Sequence, residues 1–127
     1  MDPDERRLNA ITEEIIGCAY DVANGMGCGF LEKVYENAMR IELRLAGLVV
    51  VQQHPVPVRW RGELVGDYFA DLLVEESIIV ELKAVKTLDD THMAQRLNYL
   101  KATGHRICLL INFGKPQIEV KRIVRNL

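Results

Sequence analysis

The sequence predicts an α/β (α+β) fold: one central mixed sheet flanked by helices, in the order helix, helix, three strands, helix, strand, with a short closing strand. Three observations predict it. Apolar residues recur at helical spacing over residues 8–24, 30–46 and 88–103. Residues 69–83 read as two apolar strands joined by a short polar turn, with Asp71, Glu81 and Lys83 set into them, and 106–112 as a further buried strand. Turns rich in glycine, proline and polar residues separate these segments.

Leu8, Ile11, Ile15, Ala19, Val22 and Ala23 share one face of the first helix, with Asp4 or Asn9 as its cap. It stops at Gly25-Met26-Gly27-Cys28-Gly29. Those alternate glycines are no phosphate loop, because a helix precedes them and no Gly-Lys-Ser/Thr follows. They predict a helix-to-helix turn with positive φ. In the second helix Leu31, Val34, Ala38, Ile41 and Leu45 form the expected buried stripe, and Gly47 ends it. Glu32 lies in its first turn, where the helix dipole favours a carboxylate, and Tyr35 stands three residues on.

Residues 48–53 form an extended run that His54-Pro55-Val56-Pro57 is expected to interrupt, at an edge or a bend. His54 reads as a loop residue. Residues 58–60 and 64–68 read as hairpin arms around Arg61-Gly62-Glu63. A second hairpin follows over 69–83. If it turns on Glu76, Val74 faces Ile78 and Asp71 faces Glu81. Alternation then puts Asp71, Glu81 and Lys83 on one face, and Leu72, Val74, Ile78, Val80 and Leu82 on the other. A one-residue bulge would turn Asp71 away. Two facing carboxylates repel, which raises a pKa or recruits a counter-charge. A hard divalent cation supplies that charge and carries waters that become nucleophiles, with Lys83 placed to steady one. Alternatively Lys83 neutralises both acids in a structural ion triad.

The third helix is expected to bury Met93, Ala94, Leu97 and Leu100, leaving His92, Gln95 and Tyr99 as a polar stripe that faces either solvent or the charged end of the hairpin. Gly104 stops it. Residues 106–112 form a buried strand, and 118–124 a last strand with basic residues interleaved.

Composition narrows the function. A chain of 127 residues predicts one domain spanning 1–127. A formal net charge of −2 argues against a nonspecific nucleic-acid coat, though not against an enzyme that touches few phosphates. No apolar stretch suits a membrane span and no signal peptide is expected. Cys18, Cys28 and Cys108 lack metal-ligand spacing and predict free thiols in a reducing, cytoplasmic setting, with Cys18 and Cys108 in the core.

Asp on one strand followed by Glu-x-Lys on the next resembles the core of the PD-(D/E)XK nuclease superfamily. Gly29-Phe30-Leu31-Glu32-Lys33-Val34-Tyr35 fits G-x-x-E-x-x-Y, the signature of the small bacterial GxxExxY proteins, which are grouped with that superfamily. Further stretches look like the same family: Asp71-Leu72-Leu73-Val74, Val80-Glu81-Leu82-Lys83-Ala84-Val85, Gln95-Arg96-Leu97-Asn98-Tyr99-Leu100 and Leu110-Ile111-Asn112-Phe113-Gly114. The resemblance covers about residues 8–125. Cys28 departs from it, since the family tends to have proline before the glycine.

The resemblance implies a restriction-endonuclease-like ααβββαβ core and a Mg²⁺- or Mn²⁺-dependent nuclease acting on DNA, with RNA second. It implies Asp71, Glu81, the Leu82 carbonyl and Glu32 as the metal's surroundings. Lys83 becomes the catalytic lysine, and Tyr35, Gln95 and Tyr99 support the site. A homodimer or larger complex would enlarge a small substrate surface. Two other functions fit the same residues: a non-catalytic module that binds nucleic acid or protein, and a metal-dependent hydrolase of a small phosphorylated substrate.

Overall fold

The structure, a computed structural model, describes residues 2–127. Eight elements follow one another: α1 (Pro3–Met26), α2 (Glu32–Leu45), β1 (Val50–Trp60), β2 (Glu63–Val74), β3 (Ile78–Lys83), α3 (Asp90–Thr103), β4 (Ile107–Asn112) and β5 (Glu119–Val124). The strands form one sheet in the order β1-β2-β3-β4-β5. Only β3 and β4 run parallel, joined by the crossover through α3, and the other neighbours are antiparallel. The mixed sheet flanked by helices is the predicted one.

Each helix end has a local cause. Asp2 caps α1 by accepting from the Glu5 amide, with Pro3 in the first turn, so the helix starts earlier than expected. Asp89 and His92 form a reciprocal capping box on α3, and Gly104 ends that helix in the left-handed conformation. The β1–β2 turn falls at Arg61-Gly62, both at positive φ, as a tight two-residue hairpin demands.

The two faces of the sheet bury separate cores. Leu72, Val74, Ile78, Val80 and Leu82 pack with Leu109 and Ile111 under α1 and α2. Leu73, Ile79, Cys108, Leu110 and Ile123 pack with Tyr99 and Leu100 of α3. Cys18 and Cys108 are buried as expected, Cys28 is exposed, and all three thiols are free.

Three expectations need correction. The prolines do not break β1, which runs unbroken through Pro55 and Pro57 and includes His54, whose ring lies 6.2 Å from that of His105. β1 is an edge strand, so alternate amides have no partner to lose, and the two prolines share one parity. On α2 the buried side is Tyr35, Met39 and Leu43, while Leu31 and Leu45 are 79% and 78% exposed and Ile41 is also exposed. The Tyr35 hydroxyl donates to the Gly27 carbonyl, and its ring stacks on Phe113, 4.6 Å between centroids. That tether turns the helix so that a different stripe meets the sheet. On α3 the buried residues are Arg96, Tyr99 and Leu100, whereas Ala94 is exposed and Met93 and Leu97 are half-buried.

Candidate active site

β2 and β3 pair as predicted, Val74 with Ile78, Leu73 with Ile79 and Leu72 with Val80, and then part. At the parting, side chains take over the hydrogen bonds of the ladder. The Asp71 amide donates to Glu81 Oε2 at 2.8 Å, and the Leu82 amide donates to Asp71 Oδ2 at 2.8 Å. The two carboxylates thus face each other in the gap.

Burial decides their chemistry. Loss of water, the neighbouring Asp71 charge and a proton shared with Asp71 push Glu81 up to about 8, against the opposing pull of the Asp71 amide and Arg96. Asp71 is raised as well, chiefly by burial, while the Leu82 amide and the shared proton hold it down and Glu36 and Glu32 push it up. At neutral pH the pair is therefore biased toward holding a proton between its two carboxyls. A buried acid pair of this kind stays together only with a proton or a cation between its members.

The cation in contact is not Lys83. Lys83 has no ion pair or hydrogen bond from its ammonium among the described residues, so the triad in which it neutralises both acids is not what the structure shows. Arg96 of α3 stands there instead, Nη2 3.6 Å from Glu81 Oε1, both side chains almost wholly buried. Its Nη1 donates to Gln95 Oε1, its guanidinium lies 5.6 Å from the Tyr99 ring centroid, and its Nε has no hydrogen-bond partner. Gln95 is exposed and Tyr99 buried, so both named residues of α3 reach the acid pair through Arg96. An arginine in a helix reads as solvated, and only its place between Gln95 and Tyr99 could have singled it out.

Lys83 is held by its backbone. Its carbonyl accepts from the Phe113 amide at 2.8 Å. Beyond it the wholly buried Asn112 side chain donates to the Val85 carbonyl and accepts from the Val85 and Gly114 amides. Gly114 sits so close that an added Cβ would fall 2.2 Å from the Val85 oxygen. The Asn112-Phe113-Gly114 stretch is thereby explained as a clamp on the end of β3.

Asp71 stands where the facing of the sheet changes while the register of the ladder holds. Leu72 and Val74 belong to the α1/α2 core, but Ala70 belongs to the α3 core with Leu73, so alternation breaks between 72 and 70. Across the ladder, Gln52 pairs with Leu72 and His54 with Ala70, leaving Gln53 level with Asp71. Gln53 has φ 54, and its side chain and that of Gln52 both reach one acceptor, the Glu36 carboxylate, at 3.0 and 2.7 Å. Successive strand residues normally point to opposite faces. Here the left-handed Gln53 turns both strands over at the rung of Asp71. Glu36 is buried, also bound by Lys33, and escaped the sequence reading. Glu32 is exposed one turn earlier and touches the pair only through its field. Tyr35 secures the α1–α2 turn and packs on Phe113.

The pair offers a metal two hard carboxylates. Among the described residues no three His, Cys, Asp or Glu side chains stand close enough to hold one. Hard divalent ions bind through one or two carboxylates and keep waters, a donor set this pair can supply. The proton between the acids is the charge such an ion would replace.

The long β1–β2 arm leans over α3 and leaves a cavity of about 650 Å³. Val58 and Tyr68 line it from the arm, and Gln95, Asn98, Tyr99 and Lys101 from the helix.

The family model of the PD-(D/E)XK nuclease superfamily matches residues 9–123. The chain belongs to the PD-(D/E)XK nuclease superfamily. An alkaline exonuclease from Laribacter hongkongensis (LHK-Exo) has a similar fold, with a TM-score of 0.55 at 16% identity, over 99% of this chain and 73% of that one. No curated protein sequence matches the chain. No helix among the described residues is long and apolar enough to cross a membrane.

Proposed function

We propose that this superfamily member is a Mg²⁺- or Mn²⁺-dependent phosphodiesterase of nucleic acid, with DNA as the preferred polymer and RNA the second. The buried Asp71–Glu81 pair, sharing a proton where two strands part, carries the proposal. When bound, the metal supplies positive charge and a water acidified for attack. Asp71, Glu81 and the Leu82 carbonyl would hold it, with Glu32 adding negative field from the first turn of α2.

The chain's own residues do the rest. Lys83, unpaired and fixed through its carbonyl, orients the attacking water and stabilises charge growing on the phosphate. Arg96 anchors Glu81, and Gln95 and Tyr99 anchor Arg96. Tyr35 keeps α2 against Phe113 and so steadies the clamp behind Lys83. The free thiols fit a reducing cytoplasm, and a homodimer would widen the surface offered to a polymer.

The test is cleavage of labelled single- and double-stranded DNA and RNA with Mg²⁺, Mn²⁺ or chelator, beside Asp71→Ala and Lys83→Ala. Cleavage lost in both variants and in chelator is expected. A wild type that binds Mn²⁺ through Asp71 yet cuts no polymer would overturn the nuclease reading. The net charge of −2 favours a second reading, hydrolysis of a small phosphorylated substrate, which predicts activity on nucleotides alone.

A further inference from the structure

We infer that the groove between the β1–β2 arm and α3 receives an unpaired nucleobase, and that the protein therefore takes its polymer single-stranded or frayed. The inference rests on the nuclease reading for where the backbone lies. The choice of ligand rests on the groove itself.

Ala94, Gln95, Asn98 and Lys101 recur at helical spacing along the exposed side of α3 and make one wall. Tyr68 makes the other with Val58. Its ring centroid is 5.8 Å from that of Tyr99 with the planes tilted by 43°, and Tyr99 is buried while Tyr68 is 47% exposed, so Tyr68 offers the open aromatic surface and Tyr99 backs it. At about 650 Å³ the space lies in the ~300–1,000 Å³ range of small-ligand sites.

The lining has the chemistry of a base site. It contains no carboxylate in a chain with 18 Asp and Glu, and its one charge is Lys101. Two amides, Gln95 and Asn98, offer donors and acceptors for a base edge, while aromatic rings bind any base by stacking. A chain of side-chain contacts joins the groove to the acid pair. Gln95 lines it, accepts from Arg96, and Arg96 pairs with Glu81. On the nuclease reading, a phosphate at the acid pair and a base in the groove would belong to one strand. A duplex keeps its bases paired and stacked and cannot supply one without opening.

Fluorescence anisotropy in EDTA, where no cleavage occurs, tests this with a labelled oligothymidylate and with a blunt duplex. The wild type should prefer the single strand. Tyr68→Ala should weaken that binding about tenfold or more, the loss of one stacked base. Ala94→Trp, at an exposed helix position, should fill the groove with the same effect and an unchanged Tm. Single abasic sites moved along the strand should reproduce the loss at one position, and Tyr68→Ala should lose nothing more on that strand. Equal binding of duplex and single strand, variants that bind like wild type, or no binding of any single strand would overturn the inference. The two readings fail separately. Cleavage with unchanged KM in both variants removes the groove and leaves the nuclease, whereas the expected binding with no cleavage in Mg²⁺ does the reverse.

Discussion

Asp71 and Glu81 close the parting of β2 and β3 with their own side chains. The Asp71 amide is held by the Glu81 carboxylate, and the Asp71 carboxylate holds the next amide of the opposite strand, that of Leu82. Each acid is thus a structural acceptor and a candidate ligand at once. Asp71→Ala should therefore cost stability as well as activity, by about 1–3 kcal/mol for the buried amide it leaves unpaired. Chemical denaturation beside the cleavage assay separates the two losses.

Lys83→Ala should behave differently. The ammonium has no ion pair to lose among the described residues, so the variant should melt within a degree or two of wild type while kcat falls about 100-fold or more. A melting scan and single-turnover cleavage check both halves.

The acid pair predicts an inverted pH profile in the absence of metal. Glu81 rises from 4.5 when exposed to about 8 when folded, so between those values the folded state holds more proton than the unfolded one. Its contribution to stability is complete below pH ~4.5 and is lost as pH rises through about 8. Tm measured in EDTA should fall across that window and level off above it. Glu81→Gln should flatten the slope, and Mn²⁺ should bind more tightly toward the alkaline end as the competing proton leaves.

Gln53 and Glu36 predict a rescue. Glu36→Ala leaves the amides of Gln52 and Gln53 without their acceptor and should weaken Mn²⁺ binding by relaxing the turn that aims Asp71. Gln53→Gly takes positive φ without the ~1–2 kcal/mol that another residue spends there. Added to Glu36→Ala, it should restore metal affinity in calorimetry, whereas Gln53→Ala should not.

Gly114→Ala should be among the most damaging single methyl additions. The new Cβ would meet the Val85 backbone, which cannot step aside, at ~3 kcal/mol of destabilisation. The shift in denaturant midpoint measures it.

Much of this was legible in the residues. The register of the central hairpin, the turn at Arg61-Gly62 and the Gly104 stop follow from local rules, because each is written within a few positions of where it acts. The buried side of α2 was not, since two offset stripes compete and a hydroxyl bond from Tyr35 to Gly27 chooses between them. Nor was the change of facing at Asp71, beside a left-handed glutamine held by a helix, with no glycine to announce it. Arg96 stayed hidden because burial of a guanidinium is decided by the tertiary partner and not by the helix that carries it.

The clamp that Asn112 places on Val85 also sets a schedule. Lys83 gets its seat from β4, and β4 lies beyond the whole of α3 in the chain. During synthesis the two acids emerge early, but the lysine's seat exists only after residue 114 has emerged and the parallel pair has docked, a slow, long-range step. A nascent chain thus carries both acids before it has the lysine's seat, which waits on the docking of β4.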